Sequence, residues 1–259
     1  MWEDWQFRVL GPLQAEYGGE NVPLGGLRQQ TLFAMLLVDV NQVVHVERLI
    51  DAVWDGAPPT SARTQIRICV SGLRQLLAAR RLDKVIETHT VGYRLRVDRT
   101  CVDLCMFEDL LARGRLARTE HRPEEAVSLL RSALRLWSGE VAAGLGSQRL
   151  VPVAARYREE RLAAVEECMD LELQLGRHRE VAGELIGHVA DNSFREKMRE
   201  QLMVALYRSG RQADALEQFS VARRLFTDEL GIEPGRNLRT LQQAILTSDP
   251  SLYGTALRD

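Results

Sequence analysis

Apolar positions along the chain fall into two regimes. In "FRVLGPLQAEYGGENVPLGG", from Phe7, short apolar stretches are broken by Gly-Pro and two Gly-Gly pairs. That pattern predicts two to four short strands joined by tight turns. Helical spacing then takes over. "LRQQTLFAMLLVDV" carries Leu32, Met35, Leu36 and Leu37, and "VERLIDAVW" sets Val46, Leu49, Ile50 and Val53 on one side of a second helix. Gly56, Pro58 and Pro59 in "DGAPP" cannot continue that helix. In "SARTQIRICVSGLRQLLAARR", from Ser61, Ala62, Ile66, Val70, Leu73 and Leu77 recur every three or four positions, which predicts a third helix. "VIETHTVGYRLRV" then alternates. Tyr93, Leu95 and Val97 are interleaved with Arg94 and Arg96, and Gly92 sits near a turn, as in a β-hairpin.

From Val102 onward the pattern is almost continuously helical, with breaks at Pro123, Gly139, Gly144, Gly146, Pro152, Gly176, Gly210, Gly231 and Pro234. "LGRHREVAGEL" and "SGRQADALEQF" place their Gly-Arg pairs 34 residues apart, the period of a tetratricopeptide repeat. Ala215, Phe219 and Ala222 have the small–aromatic–small spacing that lets two helices pack closely, and "HRPEEAVSLL", from His121, reads as an earlier, degenerate copy. The expected fold class is mainly α with a small β component. The boundary is expected between 97 and 103, dividing 1–98, a winged helix-turn-helix, from 99–259, an all-α tetratricopeptide-like domain.

Strands, three helices and a hairpin in this order make a winged helix, whose third helix enters the major groove of DNA. Charge changes the picture in the same place. The net charge of −2 is uninformative, but residues 57–97 carry eight bases and two acids, whereas residues 1–56 carry three bases and eight acids. The positive block covers the third helix and the hairpin, as an electrostatic footprint for a polyanion would. Thr60 and Ser61 are N-cap candidates that could offer hydroxyls or amides to a phosphate. Arg63, Thr64, Arg67, Ser71 and Arg74 project away from the apolar stripe. Arg67 is the leading base reader, since arginine can bond guanine bidentately. His89, Thr90, Arg94 and Arg96 lie on the wing and are expected at phosphates or the minor groove, with Tyr93 as a packing residue. The competing reading is that the helix arginines are merely solvated.

Other signals are weaker. Cys69, Cys101, Cys105 and Cys168 are too few and scattered for a disulfide framework, and Cys101 and Cys105 lack a second pair to complete a zinc site. No metal or cofactor is expected, and the five histidines form no catalytic constellation, so an enzyme is not expected. Trp2, Trp5, Trp54 and Trp137 read as core or edge anchors. Acids at the N-terminus and the lack of a long apolar run argue against export or a membrane span, so the expected location is the cytoplasm, at the nucleoid.

"LGPLQAEYGGENVPLGGLRQQTLFAMLL", "LIDAVWDGAPPTSARTQIRICVSGLRQLL" and "VGYRLRVDRTCVDLCMFEDLL" resemble the DNA-binding half of Streptomyces antibiotic regulatory proteins. "EEAVSLLRSALRLWSGE", the stretch from "LMVALYRSGRQADALEQF" to "LQQAIL", and "SDPSL" resemble their bacterial transcriptional activation domain. The resemblance implies an OmpR-type winged helix that binds tandem direct repeats as two protomers side by side. It also implies recruitment of RNA polymerase through the sigma factor and the alpha subunit, and activation of an actinobacterial biosynthetic gene cluster. By the same resemblance the turn "WDGAPP" is where such domains meet the sigma factor, which makes Asp55 the polymerase-contact candidate; the competing reading is a turn shaped only by its Gly and Pro residues. The chain lacks the GxxxxGK[ST] signature of the larger members, and so resembles a small stand-alone member or a fragment of a larger one. It departs from the family at Cys69, Gly72 and Gln75 of the third helix and in "SGEVAAGLGSQR". Gly72 costs about 1 kcal/mol relative to alanine inside a helix, and either a close approach to DNA or drift would account for it. A helical protein-interaction scaffold and a repressor are the alternative functions.

Overall fold

The computed structural model describes residues 4–252. Three short strands come first. β1 (Trp5–Arg8), β2 (Gln14–Tyr17) and β3 (Glu20–Asn21) form an antiparallel sheet in that order. Gly18 and Gly19 both have positive φ and link β2 to β3, as a two-residue hairpin turn requires. Trp5 and Phe7 point to one side of β1, stack at 5.3 Å, and are fully buried. Trp2 lies outside the described residues.

Three helices follow: α1 (Leu27–Val38), α2 (Val46–Trp54) and α3 (Ala62–Ala78). Thr31 through Leu37 of α1 are all buried, so this helix is covered on every side rather than along one stripe. On α2, Leu49, Ile50 and Ala52 are buried, while Val46 and Val53 are half-buried. On α3 the buried residues are Ala62, Ile66, Val70, Leu73 and Leu77, the stripe that the sequence periodicity predicts. β5 (Ile86–His89) and β6 (Gly92–Leu95) form the expected hairpin. A third strand, β4 (Val43–His45), pairs with β6, giving the order β4-β6-β5. Three residues are too few to show alternation, so β4 has no sequence signature of its own.

Helices α4 (Asp103–Thr119), α5 (Pro123–Leu134), α6 (Val151–Gln174), α7 (His178–Asp191), α8 (Glu196–Arg208), α9 (Gln212–Leu230) and α10 (Arg236–Leu246) complete the chain. Two compact units result. Of the described residues, one holds 4–116 together with 129–163, and the other holds 117–128 together with 164–252.

In the first unit, the Asp103 carboxylate at the start of α4 accepts the amide N–H groups of Val9 and Leu10 at 2.9 Å and that of Leu104 at 2.7 Å. The segment "SGEVAAGLGSQR" lies alongside the same strand end. Ser138 N–H donates to the Leu10 carbonyl and Ala142 N–H to the Val9 carbonyl, both at 2.9 Å. Burial pushes the Asp103 carboxyl up to about 6, against the pull of its three amide donors. These bonds cross the stretch 97–103.

In the second unit, Gly176 and Gly210 occupy left-handed turns 34 residues apart, where the repeat places its Gly-Arg pairs. Ala215, Phe219 and Ala222 are buried, as close helix packing requires. Among the described residues no helix is long and apolar enough to cross a membrane.

Candidate nucleic-acid interface

The apolar stripe of α3 faces the core, so its opposite side carries Arg63, Thr64, Arg67, Ile68 and Ser71, all exposed. The structure separates the three arginines by what holds them. Arg63 pairs with Glu47 in the first turn of α2. Arg74 is half-buried, donating to the Ile86 carbonyl at 2.9 and 2.6 Å and to the Thr88 hydroxyl at 2.8 Å. Arg67, exposed, makes no ion pair or hydrogen bond among the described residues. The open charge on this face is therefore Arg67. Beside it stands Ile68, 64% exposed, an apolar residue off the buried stripe that neither periodicity nor charge singles out along the chain.

Capping of α3 differs from expectation. Ser61 is its N-cap residue, but its hydroxyl caps no backbone N–H and instead accepts from the Gln65 side chain at 2.9 Å. Gln65 in turn accepts from Arg28 of α1 at 2.8 Å, and the Arg28 guanidinium lies 5.4 Å from the centre of the Trp54 ring. Arg28 thus ties α1, α2 and α3 together, and Trp54 is an edge anchor. The first amides of α3 are left without a side-chain cap, as an anion-binding helix N-terminus requires. Thr60 is exposed next to it.

Gly72 also has a local cause. A Cβ there would lie 3.0 Å from Nε2 of Gln29 in α1, so the glycine makes room for a neighbouring side chain. At Gly92 the constraint is backbone. A Cβ would lie 1.9 Å from the Val44 carbonyl oxygen, which no side-chain motion can relieve.

On the wing, Thr90 and Val91 form the exposed tip between His89 and Gly92. Tyr93 and Leu95 are buried, and Arg94 and Arg96 share the other face. Glu87 stands directly across from Arg94 in the β5–β6 register. Its carboxylate accepts from Arg94 Nε at 2.7 Å and Nη2 at 2.5 Å, with Arg96 Nη1 at 3.6 Å and His89 Nε2 at 3.5 Å. The Arg94 hydrogen bond holds the Glu87 carboxyl below the usual glutamate range. Glu47 and Glu87, the acids that hold expected DNA-facing arginines, escape sequence reading because each becomes a partner only when two elements meet.

Asp55 ends α2 in a left-handed conformation (φ 47°), and its carboxylate accepts the Gln148 N–H at 2.9 Å. Asp51, one turn earlier, pairs with Arg149. The stretch from Gly56 to Ser61 remains exposed.

Cys69, Cys101, Cys105 and Cys168 form no disulfide. Burial pushes the Cys101 thiol up to about 12 and the Cys105 thiol up to about 11, which suits packing rather than reactivity.

Residues 19–95 match the family described as transcriptional regulatory protein, C terminal, and residues 102–246 match the bacterial transcriptional activator domain. The chain is 39% identical over 248 residues to the regulatory protein AfsR of Streptomyces coelicolor, covering 95% of this chain and 25% of that one. It is 34% identical over 255 residues to the regulatory protein DnrI of Streptomyces peucetius, covering 95% of this chain and 94% of that one. A solved structure of Mycobacterium tuberculosis EmbR, in complex with a low-affinity phosphopeptide, superposes with a TM-score of 0.91 at 36% identity, over 95% of this chain and 66% of that one. This chain therefore spans about a quarter of the AfsR proteins and nearly all of DnrI.

A winged helix-turn-helix joined to an activator domain defines a bacterial transcriptional regulator. The chain belongs to the Streptomyces antibiotic regulatory protein family.

Proposed function

We infer that this chain is a sequence-specific DNA-binding activator of transcription that reads promoter DNA with α3 and steadies itself with the wing. The observation that carries this reading is the open face of α3, where Arg67 stands without a partner among the described residues, between Thr64 and Ser71. A guanidinium left free on a helix of groove-fitting width can bond guanine O6 and N7. Arg63 can join it by exchanging Glu47 for a phosphate, because both side chains are exposed and such a pair is worth little. Thr60, Ser61 and the uncapped amides of α3 suit a backbone phosphate. His89, Thr90, Arg94 and Arg96 supply the wing contact. Arg74 serves the same site from behind, by fixing the wing to α3.

The family membership supports binding to tandem direct repeats by two protomers side by side, and recruitment of RNA polymerase through the sigma factor and alpha subunit to a biosynthetic gene cluster. The turn from Asp55 to Pro59 is the proposed polymerase contact. The Gln148 amide already engages Asp55, so a partner must share or displace that bond, while Gly56 to Pro59 are open. No cofactor or metal is part of this reading, and regulation rather than catalysis is the activity.

Selection of bound sequences from a random duplex library at near-physiological salt tests it. The expected result is a tandem direct repeat with half-sites one helical turn apart, about 10–10.5 bp. Transcription with polymerase holoenzyme from a promoter carrying that repeat should then rise with added protein. Binding without any selected motif, lost as salt rises, would leave only non-specific phosphate contact and reject the reading.

A further inference from the structure

The wing contains an acid where a DNA-binding element would be expected to exclude one. Residues 84–97 hold a single carboxylate, Glu87, among three basic side chains and His89. It does not lie at the edge of this group. Arg94 grips one of its oxygens through two nitrogens, Arg96 lies beside the other, and His89 lies within 3.5 Å. All four side chains stand on the sheet face opposite buried Tyr93 and Leu95.

Arginine's planar fork recognises carboxylate and phosphate by the same geometry. The contacts that Glu87 takes are thus those a DNA phosphate would take. The packing of the wing does not account for this acid. Ile86, Tyr93 and Leu95 supply the buried face, and Arg74 secures the wing to α3 through the Ile86 carbonyl and the Thr88 hydroxyl, whereas the Glu87 carboxylate points to the opposite face, where it meets Arg94, Arg96 and His89.

We propose that Glu87 is an internal stand-in for a DNA phosphate, which occupies the wing cations in the unbound protein and must yield them when duplex binds. It thereby lowers the backbone affinity of the wing for DNA of any sequence. This rests on the reading of the wing as DNA-facing. A residue of this kind sets how strongly the protein adheres to bulk DNA without touching a base.

Glu87→Gln removes the charge but keeps the shape and a hydrogen-bond acceptor for Arg94, and Glu87→Asp keeps the charge. Binding of wild type and both variants is measured across a salt series, using a duplex recovered by the selection above and an unrelated duplex of equal length. Thermal unfolding confirms that each variant is folded. For Glu87→Gln the expected result is several-fold tighter binding to both duplexes at low salt. The gain should shrink as salt rises, with a log–log slope steeper by about one unit and an unchanged base preference. Glu87→Asp should stay close to wild type. If folded Glu87→Gln matches wild type at every salt, or binds both duplexes more weakly, the phosphate stand-in is refuted while DNA reading stands. If wild type binds neither duplex, the DNA-reading function fails and takes this inference with it.

Discussion

Arg74 of α3 donates twice to the carbonyl oxygen of Ile86, at 2.9 and 2.6 Å, joining the third helix to the first residue of the wing. Hydrogen bonds from a charged donor contribute about 1.5–3 kcal/mol each to stability. Arg74→Ala should therefore lower the urea unfolding free energy by about that amount and weaken binding to all duplexes alike. Arg74→Lys should recover only part of the loss, because an ammonium lacks the fork. An unchanged midpoint combined with a changed base preference would return Arg74 to the reading face.

Arg67 should behave in the opposite way. Among the described residues nothing bonds its guanidinium, so Arg67→Ala should shift stability by less than about 0.5 kcal/mol. It should cost about 1–3 kcal/mol of discrimination at one base pair of the selected site, read by competition with single-pair variants. Uniform weakening at every position would make it a phosphate contact instead.

Two glycines separate side-chain room from backbone room. Gly92→Ala places its Cβ 1.9 Å from the Val44 carbonyl oxygen, so the pairing of β4 with β6 must open and the melting temperature must fall. Gly72→Ala meets only the movable end of Gln29 at 3.0 Å. With that side chain turned aside, the helix gains up to about 1 kcal/mol. Thermal unfolding of the two variants, side by side, checks the opposite signs.

The Asp103 carboxyl titrates at about 6 in the folded chain, above the value of an unfolded aspartate near 3.9. The folded state therefore holds a proton there, between pH 6 and 4, that the unfolded chain has lost. This group's contribution to stability is full below about pH 4 and is lost as pH rises through 6. Asparagine cannot titrate. The stability of wild type relative to Asp103→Asn should thus increase as pH falls from 7 to 4, by about 2–3 kcal/mol. A flat difference across that range would show that the three amide donors outweigh burial.

Whatever depends on neighbours a few residues apart was legible along the chain. The stripe from Ala62 to Leu77 appears as read, because a helix repeats every 3.6 residues whatever surrounds it. The left-handed glycines at 18, 19, 176 and 210 sit at turns for the same local reason. The position of the basic block on α3 and the wing, and the membership of the family, were visible in the same way. Which of those charges are free was decided only by tertiary structure. Glu47 lies 16 residues before Arg63, Glu87 meets Arg94 through the strand register, and the Ile86 carbonyl meets Arg74 because α3 packs against the wing sheet. β4 exists only through its pairing with β6, and Gly72 is explained only by Gln29 of α1. Periodicity determines which side of an element faces solvent. The electrostatic partner of an exposed side chain is set by distances of a few ångströms between elements far apart in sequence, and those distances arise only when the elements pack.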